Sequence, residues 1–220
     1  MSELRGHWDR AYESTAVEAS GWYEAVPEVS LELVERCGLA PGAAIVDIGG
    51  GASTLANELL RRGFTNLTVV DISSVALEHL AGRLGPERAR HVRLLTADVT
   101  APEFVAAMAP VDLWHDRALL HFLTTEDDRR AYAHAVQSLV RPGGWVIVAA
   151  FAVGGATECS GLPVRNYDEQ MLAAELGAQF TLIEARRHIY QQPSGGLRPY
   201  VYALFRRGPG SHLPPPPVAV

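Results

Sequence analysis

A glycine-rich stretch and a carboxylate downstream of it have the residue types and the spacing of a nucleotide-binding site. Residues 47–51 read Asp-Ile-Gly-Gly-Gly at the end of an apolar run, and a helical pattern starts at Ser53. Glycine lets the backbone turn sharply and approach a ligand, and the helix start offers free N–H groups. Asp71 follows Gly51 at a distance of 71 − 51 = 20 residues, where an acidic side chain meets ribose hydroxyls in βαβ units. The pair predicts a site for a ligand that contains a ribose.

Short apolar runs alternate with helical patterns through the middle of the chain. Continuous apolar runs favour parallel strands buried on both faces, here residues 44–48, 67–71, 92–96, 111–114 and 145–151. Helices are predicted at residues 53–62, 73–84, 102–108 and 125–140, the last of them ended by Pro-Gly-Gly at 142–144. Right-handed βαβ crossovers put a ligand crevice at the carboxyl ends of such strands. Residues just after each strand are therefore the candidates for chemistry.

The flanks of this core predict a helix before it and a closing hairpin after it. An apolar face at Val29, Leu33, Val34 and Cys37 predicts a helix that ends at Gly38. A helix is predicted at 167–176, followed by strands at 180–190 and 198–206. We expect one domain over residues 1–208, with a lid segment at 1–28, and a disordered proline-rich tail at 209–220.

The composition excludes several classes of protein. The chain carries 25 acidic and 19 basic side chains, for a net charge of −6, and all the basic ones are arginine. Chemistry that depends on a lysine, such as a Schiff base, a P-loop or a kinase site, is thereby excluded. The acidic balance argues against a nucleic-acid surface. The sequence contains no run of about 18 apolar residues, so no membrane span is predicted. Two distant cysteines give no metal motif, so we expect a cytoplasmic protein without a bound metal.

Four motifs in order resemble the class I S-adenosylmethionine-dependent methyltransferases, and the resemblance covers residues 5–207. Residues 47–51 match the glycine signature, although Ser53 stands at its third glycine position. Asp71 matches the acid that binds ribose, and Asp98 matches the acid that accepts a hydrogen bond from the adenine amino group. Arg-Pro-Gly-Gly at 141–144 is a further family motif. An NAD-binding Rossmann domain shares the first two features but gives no reason for the last two.

The resemblance implies a fold, a lid and a cofactor. The fold is α/β, a Rossmann-like doubly wound seven-stranded sheet of order 3-2-1-4-5-7-6, with its last strand antiparallel and helices on both faces. Residues 7–12, 22–23 and 111–123 look like those of small bacterial methyltransferases, distantly similar to thiopurine S-methyltransferases. In such enzymes the N-terminal helical segment covers the site as a lid. The implied cofactor is S-adenosylmethionine, with S-adenosylhomocysteine as product.

The candidate site residues fall into three sets. Candidates for cofactor binding are Tyr12, Trp22, Asp47, Gly49, Gly51, Ser53, Asp71, Ile72, Asp98, Val99 and His115. Candidates for substrate binding are Arg117, Cys159 and Arg198, and candidates for catalysis are His121, as a base, and Tyr23. Each has a structural alternative: the two aspartates after strands could be helix N-caps, the aromatic residues could pack the N-terminal helix, and His121 could lie in the core.

The predicted reaction is a direct SN2 attack by a sulfur, nitrogen or oxygen atom of a small molecule on the methyl group of S-adenosylmethionine. The alternatives are other chemistry with the same cofactor, such as cyclisation or elimination, a protein methyltransferase, and a protein that binds the cofactor without turnover. We expect a small-molecule substrate, no nucleic-acid or membrane partner, and a monomer or a homodimer.

Overall fold

Seven strands form one mixed sheet in the computed structural model, which describes residues 2–209. The strand order is β3-β2-β1-β4-β5-β9-β8, with β1 to β5 parallel and β9 antiparallel to both of its neighbours. The strands are β1 (Ile45–Ile48), β2 (Leu67–Asp71), β3 (Val92–Thr96), β4 (Val111–Arg117), β5 (Val140–Phe151), β8 (Phe180–Gln191) and β9 (Leu197–Arg207). A separate hairpin consists of β6 (Glu158–Cys159) and β7 (Leu162–Pro163). Without that hairpin the order is the predicted one, and the fold class is confirmed.

Helices cover both faces of the sheet, as a doubly wound fold requires. They are α1 (Ser2–Ser14), α2 (Glu28–Arg36), α3 (Leu55–Arg61), α4 (Ser74–Ala89), α5 (Phe104–Ala107), α6 (Glu126–Leu139) and α7 (Glu169–Leu176). Side chains of α5, α6 and α7 share one buried cluster with Ile48, Trp114 and Val148 of the sheet. Side chains of α2, α3 and α4 share a second with Leu113 and Ile147, whose side chains point to the other face. Alternate residues of central strands are thus buried on both sides, which explains their continuous apolar runs.

Several element boundaries differ from the predictions. Helix α6 ends at Leu139 and β5 begins at Val140, so residues 141–144 lie inside the strand and not in a turn before it. The register between β4 and β5 shifts there, and Gly143 adopts a φ of +74°, which a glycine tolerates. Tyr167 is buried and bridges to Ala152 in parallel, so α7 begins two residues later than predicted.

Two further expectations concern the C-terminal tail and membrane-spanning helices. The proline-rich tail predicted at 209–220 lies outside the described residues, apart from Pro209. Within residues 2–209 no helix is long and apolar enough to cross a membrane.

Candidate active site

A cavity lies at the carboxyl ends of β1 to β4, beneath helix α1. It encloses about 940 Å³ of space, a figure that includes the open solvent at its mouth. Nine of the sequence candidates line it: Tyr12, Trp22, Gly49, Asp71, Ile72, Asp98, Val99, Arg117 and Cys159. A smaller adjoining cavity shares Tyr12, Trp22, Gly49 and Arg117 with the first and is also lined by Tyr23, Asp47, Ser53 and His115. The predicted residues therefore converge on one edge of the sheet.

The glycine loop between β1 and α3 is shaped by contacts that leave no room for side chains. Gly49 has φ +64° and Gly51 has φ +47°, in the left-handed region. A Cβ on Gly51 would lie 2.4 Å from the hydroxyl of Tyr12, and one on Gly49 would lie 2.8 Å from Leu119. Arg83 of α4 donates from Nη1 to the carbonyl oxygens of Ala52 (2.5 Å) and Ser53 (3.1 Å). The carbonyl side of the loop is thereby fixed to α4.

Asp71, at the end of β2, is a buried carboxylate. Its Oδ1 accepts a hydrogen bond from the amide of Ser73 at 2.9 Å. Burial raises the pKa of Asp71 to about 7, although the amides of Ser73 and Gly51 donate to the carboxylate and oppose the shift. Asp71 is not the N-cap of α4, because Ser73 Oγ accepts from the amide of Ala76 and caps that helix. The alternative reading of Asp71 as a helix cap is therefore wrong.

Asp98 follows β3 and lines the cavity with Ala97 and Val99. Its Oδ1 accepts hydrogen bonds from the amide (2.8 Å) and the hydroxyl (2.6 Å) of Thr100, in a local turn and not at a helix N-cap. Two carboxylates, Asp71 and Asp98, thus lie after neighbouring strands at the same end of the cavity.

Asp47 and His115 form a buried pair under the glycine loop. Asp47 Oδ1 lies 2.7 Å from His115 Nδ1, and Asp47 Oδ2 accepts from Ser53 Oγ at 3.4 Å. The other ring nitrogen of His115 lies 2.9 Å from Ser30 Oγ. Both nitrogens of the imidazole are therefore occupied within the protein, and the pair connects the loop to β4 and α2.

Helix α1 covers the cavity with an aromatic cluster. Trp8 lies edge-on to Trp22 (ring centroids 5.7 Å apart) and to Phe122 (5.1 Å), and Tyr12 lies 5.6 Å from Trp22. Two polar contacts fix α1 to α4. Ser73 Oγ donates to Asp9 Oδ1 at 2.7 Å, and His79 Nε2 lies 3.2 Å from the carbonyl oxygen of Tyr12.

The far end of the cavity is formed by the end of β4 and by aromatic residues of β5 and β9. Arg117 is ion-paired with Glu24, with Nε 3.0 Å from Oε2, and also donates to the hydroxyl of Tyr202 at 3.1 Å. Burial acts to lower the pKa of Arg117, but Tyr202, Tyr200 and Glu24 outweigh it and raise the pKa overall, so the guanidinium stays charged. Phe151, Cys159 and Tyr200 complete this end. Burial raises the pKa of the Cys159 thiol, which disfavours a thiolate nucleophile there.

Seven candidates do not line the main cavity: Asp47, Ser53, Tyr23 and His115 line only the smaller one, and Gly51, His121 and Arg198 line neither. His121 is fully buried in the turn Leu120–Phe122, where its Nδ1 accepts from the amide of Phe151 and burial lowers its pKa to about 3. This buried position corresponds to the structural alternative for His121, a histidine in the core. Arg198 lines neither cavity and donates to the carbonyl oxygen of Leu197. Tyr23 borders only the smaller cavity, and Gly51 lies beneath Tyr12 and Asp71.

Sequence reasoning did not single out four residues that shape the site: Trp8, Asp9, Glu24 and Arg83. One signal was available for Trp8, because Leu4, Trp8 and Tyr12 recur every four residues on one face of α1 and all three line the cavity. Asp9, Glu24 and Arg83 act through partners 30 to 93 residues away in the chain, and local spacing carries no trace of such contacts.

Comparison with known proteins finds methyltransferases. A family model described as a methyltransferase domain matches residues 46–146. EEF1A lysine methyltransferase 2 of Danio rerio is 32 % identical over 122 residues, which cover 53 % of this chain and 52 % of that protein. The chain thus matches about half the length of this curated relative.

Solved structures agree in fold. A SAM-dependent methyltransferase from Anabaena variabilis has a TM-score of 0.74 at 14 % identity and covers 94 % of each chain. The 1,6-didemethyltoxoflavin-N1-methyltransferase of Burkholderia thailandensis, solved with its substrate and S-adenosylhomocysteine, has a TM-score of 0.66 at 20 % identity, over 94 % of this chain and 85 % of that one. The domain match and these likenesses in fold are consistent with the predicted class I S-adenosylmethionine-dependent methyltransferase family and its cofactor.

Proposed function

We propose that the protein transfers the methyl group of S-adenosylmethionine to a small molecule. The residues fit the cofactor: the acids at β2 and after β3 provide acceptors for ribose and adenine donors, and the glycine loop borders the cavity at Gly49, where it presents no side chain. Asp71 and Asp98 would hold the nucleoside end, and Tyr12 and Trp22 would cover the sulfonium end, where aromatic faces attract a cation. When bound, the cofactor supplies an activated methyl group and leaves as S-adenosylhomocysteine.

The protein contributes orientation and the exclusion of water. The aromatic cluster of α1 covers the cavity, and the polar contacts Ser73–Asp9 and His79–Tyr12 hold α1 against α4. A nucleophile held in line with the methyl group in this covered space needs no covalent intermediate. Neither candidate for catalysis, His121 or Tyr23, borders the main cavity. The site therefore favours acceptors that attack without help from a base, such as ionised thiols or neutral amines.

The observation that carries the small-molecule assignment is the enclosure of the acceptor end. Its lining is predominantly apolar and aromatic, from Trp8, Trp22, Phe122, Phe151 and Tyr200. A pocket closed by a docked helix suits a compact, apolar acceptor better than a side chain presented by a folded protein.

The test is an assay of the purified protein with methyl-labelled S-adenosylmethionine and a panel of thiols, amines and phenols, with a reaction lacking any acceptor as control. We expect label in one acceptor together with an equal amount of S-adenosylhomocysteine, and loss of both in an Asp71→Asn, Asp98→Asn double variant. Consumption of the cofactor without an acceptor would indicate cyclisation or elimination. Cofactor binding without turnover on any acceptor, protein or small molecule, would indicate a binding role.

Methylation of a protein lysine is the second candidate, and the 32 % identity to EEF1A lysine methyltransferase 2 favours it. The same assay with purified eEF1A as acceptor distinguishes the two. Label on a lysine of that protein, with none on the small-molecule panel, would replace the first proposal. A Trp8→Ala variant adds a second criterion, since opening the lid should impair a small acceptor and leave a protein acceptor less affected.

A further inference from the structure

The guanidinium of Arg117 uses only part of its hydrogen-bonding capacity. Nε contacts Tyr202 and Glu24, and Nη1 donates to the carbonyl oxygen of Trp22 at 3.0 Å. Nη2 is buried and has no hydrogen-bond partner among residues 2–209. A buried charged donor without a partner is costly, and an oxygen atom of a bound ligand would satisfy it.

The neighbours of Arg117 place it at the acceptor end of the cavity. Its guanidinium carbon lies 5.3 Å from the ring centre of Tyr190 on β8 and 5.5 Å from that of Tyr200 on β9. In the sheet, β8 and β9 are separated from β2 and β3, which carry Asp71 and precede Asp98, by β1, β4 and β5. Arg117 therefore faces the side of the cavity remote from the two acids.

We propose that Arg117 binds a carboxylate of the methyl acceptor through Nη2, so that the substrate class is a small aromatic or otherwise apolar acid. This inference rests on the proposed methyl transfer to a small molecule. An arginine offers carboxylates a planar pair of donors, and the aromatic rings around it accommodate a flat apolar body. Among the described residues that line this cavity, Arg117 is the basic side chain, and its neighbours Ala118 and Leu119 are apolar.

Glu24 sets the strength of this site. It pairs with Arg117 and partly neutralises it, and both side chains are nearly buried, with exposed fractions of 14 % and 11 %. Removing the charge of Glu24 while keeping its shape leaves Arg117 uncompensated. That change should strengthen the binding of an anion, whereas loss of Arg117 should weaken it.

The experiment measures binding, not turnover. Calorimetry on the complex with S-adenosylhomocysteine compares benzoate with benzamide, its neutral analogue of the same shape. We expect the protein to prefer benzoate by about tenfold, the effect of one charged hydrogen bond. Glu24→Gln should increase the preference, and the double variant Glu24→Gln, Arg117→Met should abolish it while leaving benzamide unchanged. The double variant avoids an unpaired buried carboxylate, and Arg36→Met, at an exposed arginine paired with Glu184, is the matched control.

The cofactor has a carboxylate of its own, and a second arm tests whether Arg117 binds that group. S-adenosylhomocysteine and 5′-methylthioadenosine, which lacks the amino-acid end, are titrated into the double variant. Weakening of S-adenosylhomocysteine alone would assign Arg117 to the cofactor and overturn the inference. Equal affinity for benzoate and benzamide, with S-adenosylhomocysteine bound normally, would also overturn it and leave the proposed methyl transfer standing. Failure of S-adenosylhomocysteine to bind at all would overturn both.

Discussion

At the scale of single residues, Asp71 is a buried carboxylate at the proposed ribose site. Its pKa is raised to about 7 by burial, from an unfolded value near 3.8. The folded empty protein therefore holds this proton up to about pH 7, whereas the unfolded chain loses it near pH 4. Stability contributed by the bound proton is complete below about pH 4 and is lost as the pH rises towards 7.

We expect the affinity for S-adenosylhomocysteine to rise as the pH rises through about 7, because ribose hydroxyls donate to the carboxylate form. Calorimetry between pH 6 and 8 measures this, and Asp71→Asn should bind at least about tenfold more weakly at pH 8, with a flat profile. Asp127→Asn, at an exposed carboxylate on α6, is the control and should behave like the unaltered protein. A pH profile that persists in Asp71→Asn would assign the titration to another group.

Gly51 and Tyr12 provide a second prediction at this scale. A Cβ at residue 51 would lie 2.4 Å from the Tyr12 hydroxyl oxygen and 3.2 Å from the ring carbon that carries it. Gly51→Ala should therefore displace the lid and weaken S-adenosylhomocysteine binding by about tenfold or more, since φ +47° is also unfavourable for alanine. Adding Tyr12→Phe removes the nearer atom and should restore part of the affinity. If the double variant is as weak as Gly51→Ala, the backbone and not the tyrosine is responsible.

Among single residues, the sequence located those whose position in the cavity follows from a strand end and missed those that act through distant partners. Asp71 and Asp98 could be located because one ends an apolar strand, the other lies two residues past one, and all such positions meet at one edge. His121 was misplaced because the segment after β4 turns at Ala118, which has a positive φ, and continues as a short tight helix with the imidazole directed into the core. Arg83 has no local signal, since its two acceptors lie about 30 residues away.

At the scale of elements, the start of α4 connects the lid to the candidate ribose site. Ser73 caps α4, donates to Asp9 of α1, and through its amide holds Asp71. Thr125 caps α6 in the same way, with its hydroxyl accepting from the amide of Asp128 at 3.2 Å, but it lies outside both cavities.

We expect Ser73→Ala and Thr125→Ala each to lower the free energy of unfolding by about 1 kcal/mol, the usual effect of losing an N-cap. Only Ser73→Ala should also weaken S-adenosylhomocysteine binding, because only that cap contacts the lid. Denaturant unfolding and calorimetry on both variants measure the two effects. Equal affinities would mean that the contact with Asp9 does not contribute to the binding-competent lid.

Strands were easier to predict than their junctions. The five parallel strands were recognised because burial on both faces leaves continuous apolar runs, as in Ile45–Ile48. The start of β5 was missed because Pro-Gly-Gly at 142–144 favours a turn, yet the pairing of Val140 with Val111 draws these residues into the sheet. Pairing between strands is a tertiary effect that overrides local turn preference.

At the scale of the whole molecule, helix α1, the proposed lid, and the sheet edge line one cavity from distant parts of the chain. Helix α1 contributes Leu4, Trp8 and Tyr12 to the cavity and is connected to the rest mainly by its contacts with α4 and by the aromatic cluster. A ligand that bridges the lid and the acids at β2 and β3 should stabilise the closed arrangement, since it binds that state more tightly than an open one.

Hydrogen exchange followed by mass spectrometry should therefore show slower exchange of α1 amides when S-adenosylhomocysteine is present at about 100 times its dissociation constant. At that concentration the ligand stabilises the state that binds it by up to about 2.7 kcal/mol. Helix α6, on the opposite face of the sheet from α4, should change little and is the internal control. Ser73→Ala should reduce the protection of α1 at equal saturation, because it removes the bond to Asp9. Protection of the glycine loop without protection of α1 would mean that the cofactor binds the sheet edge alone and that the N-terminal helix is not its lid.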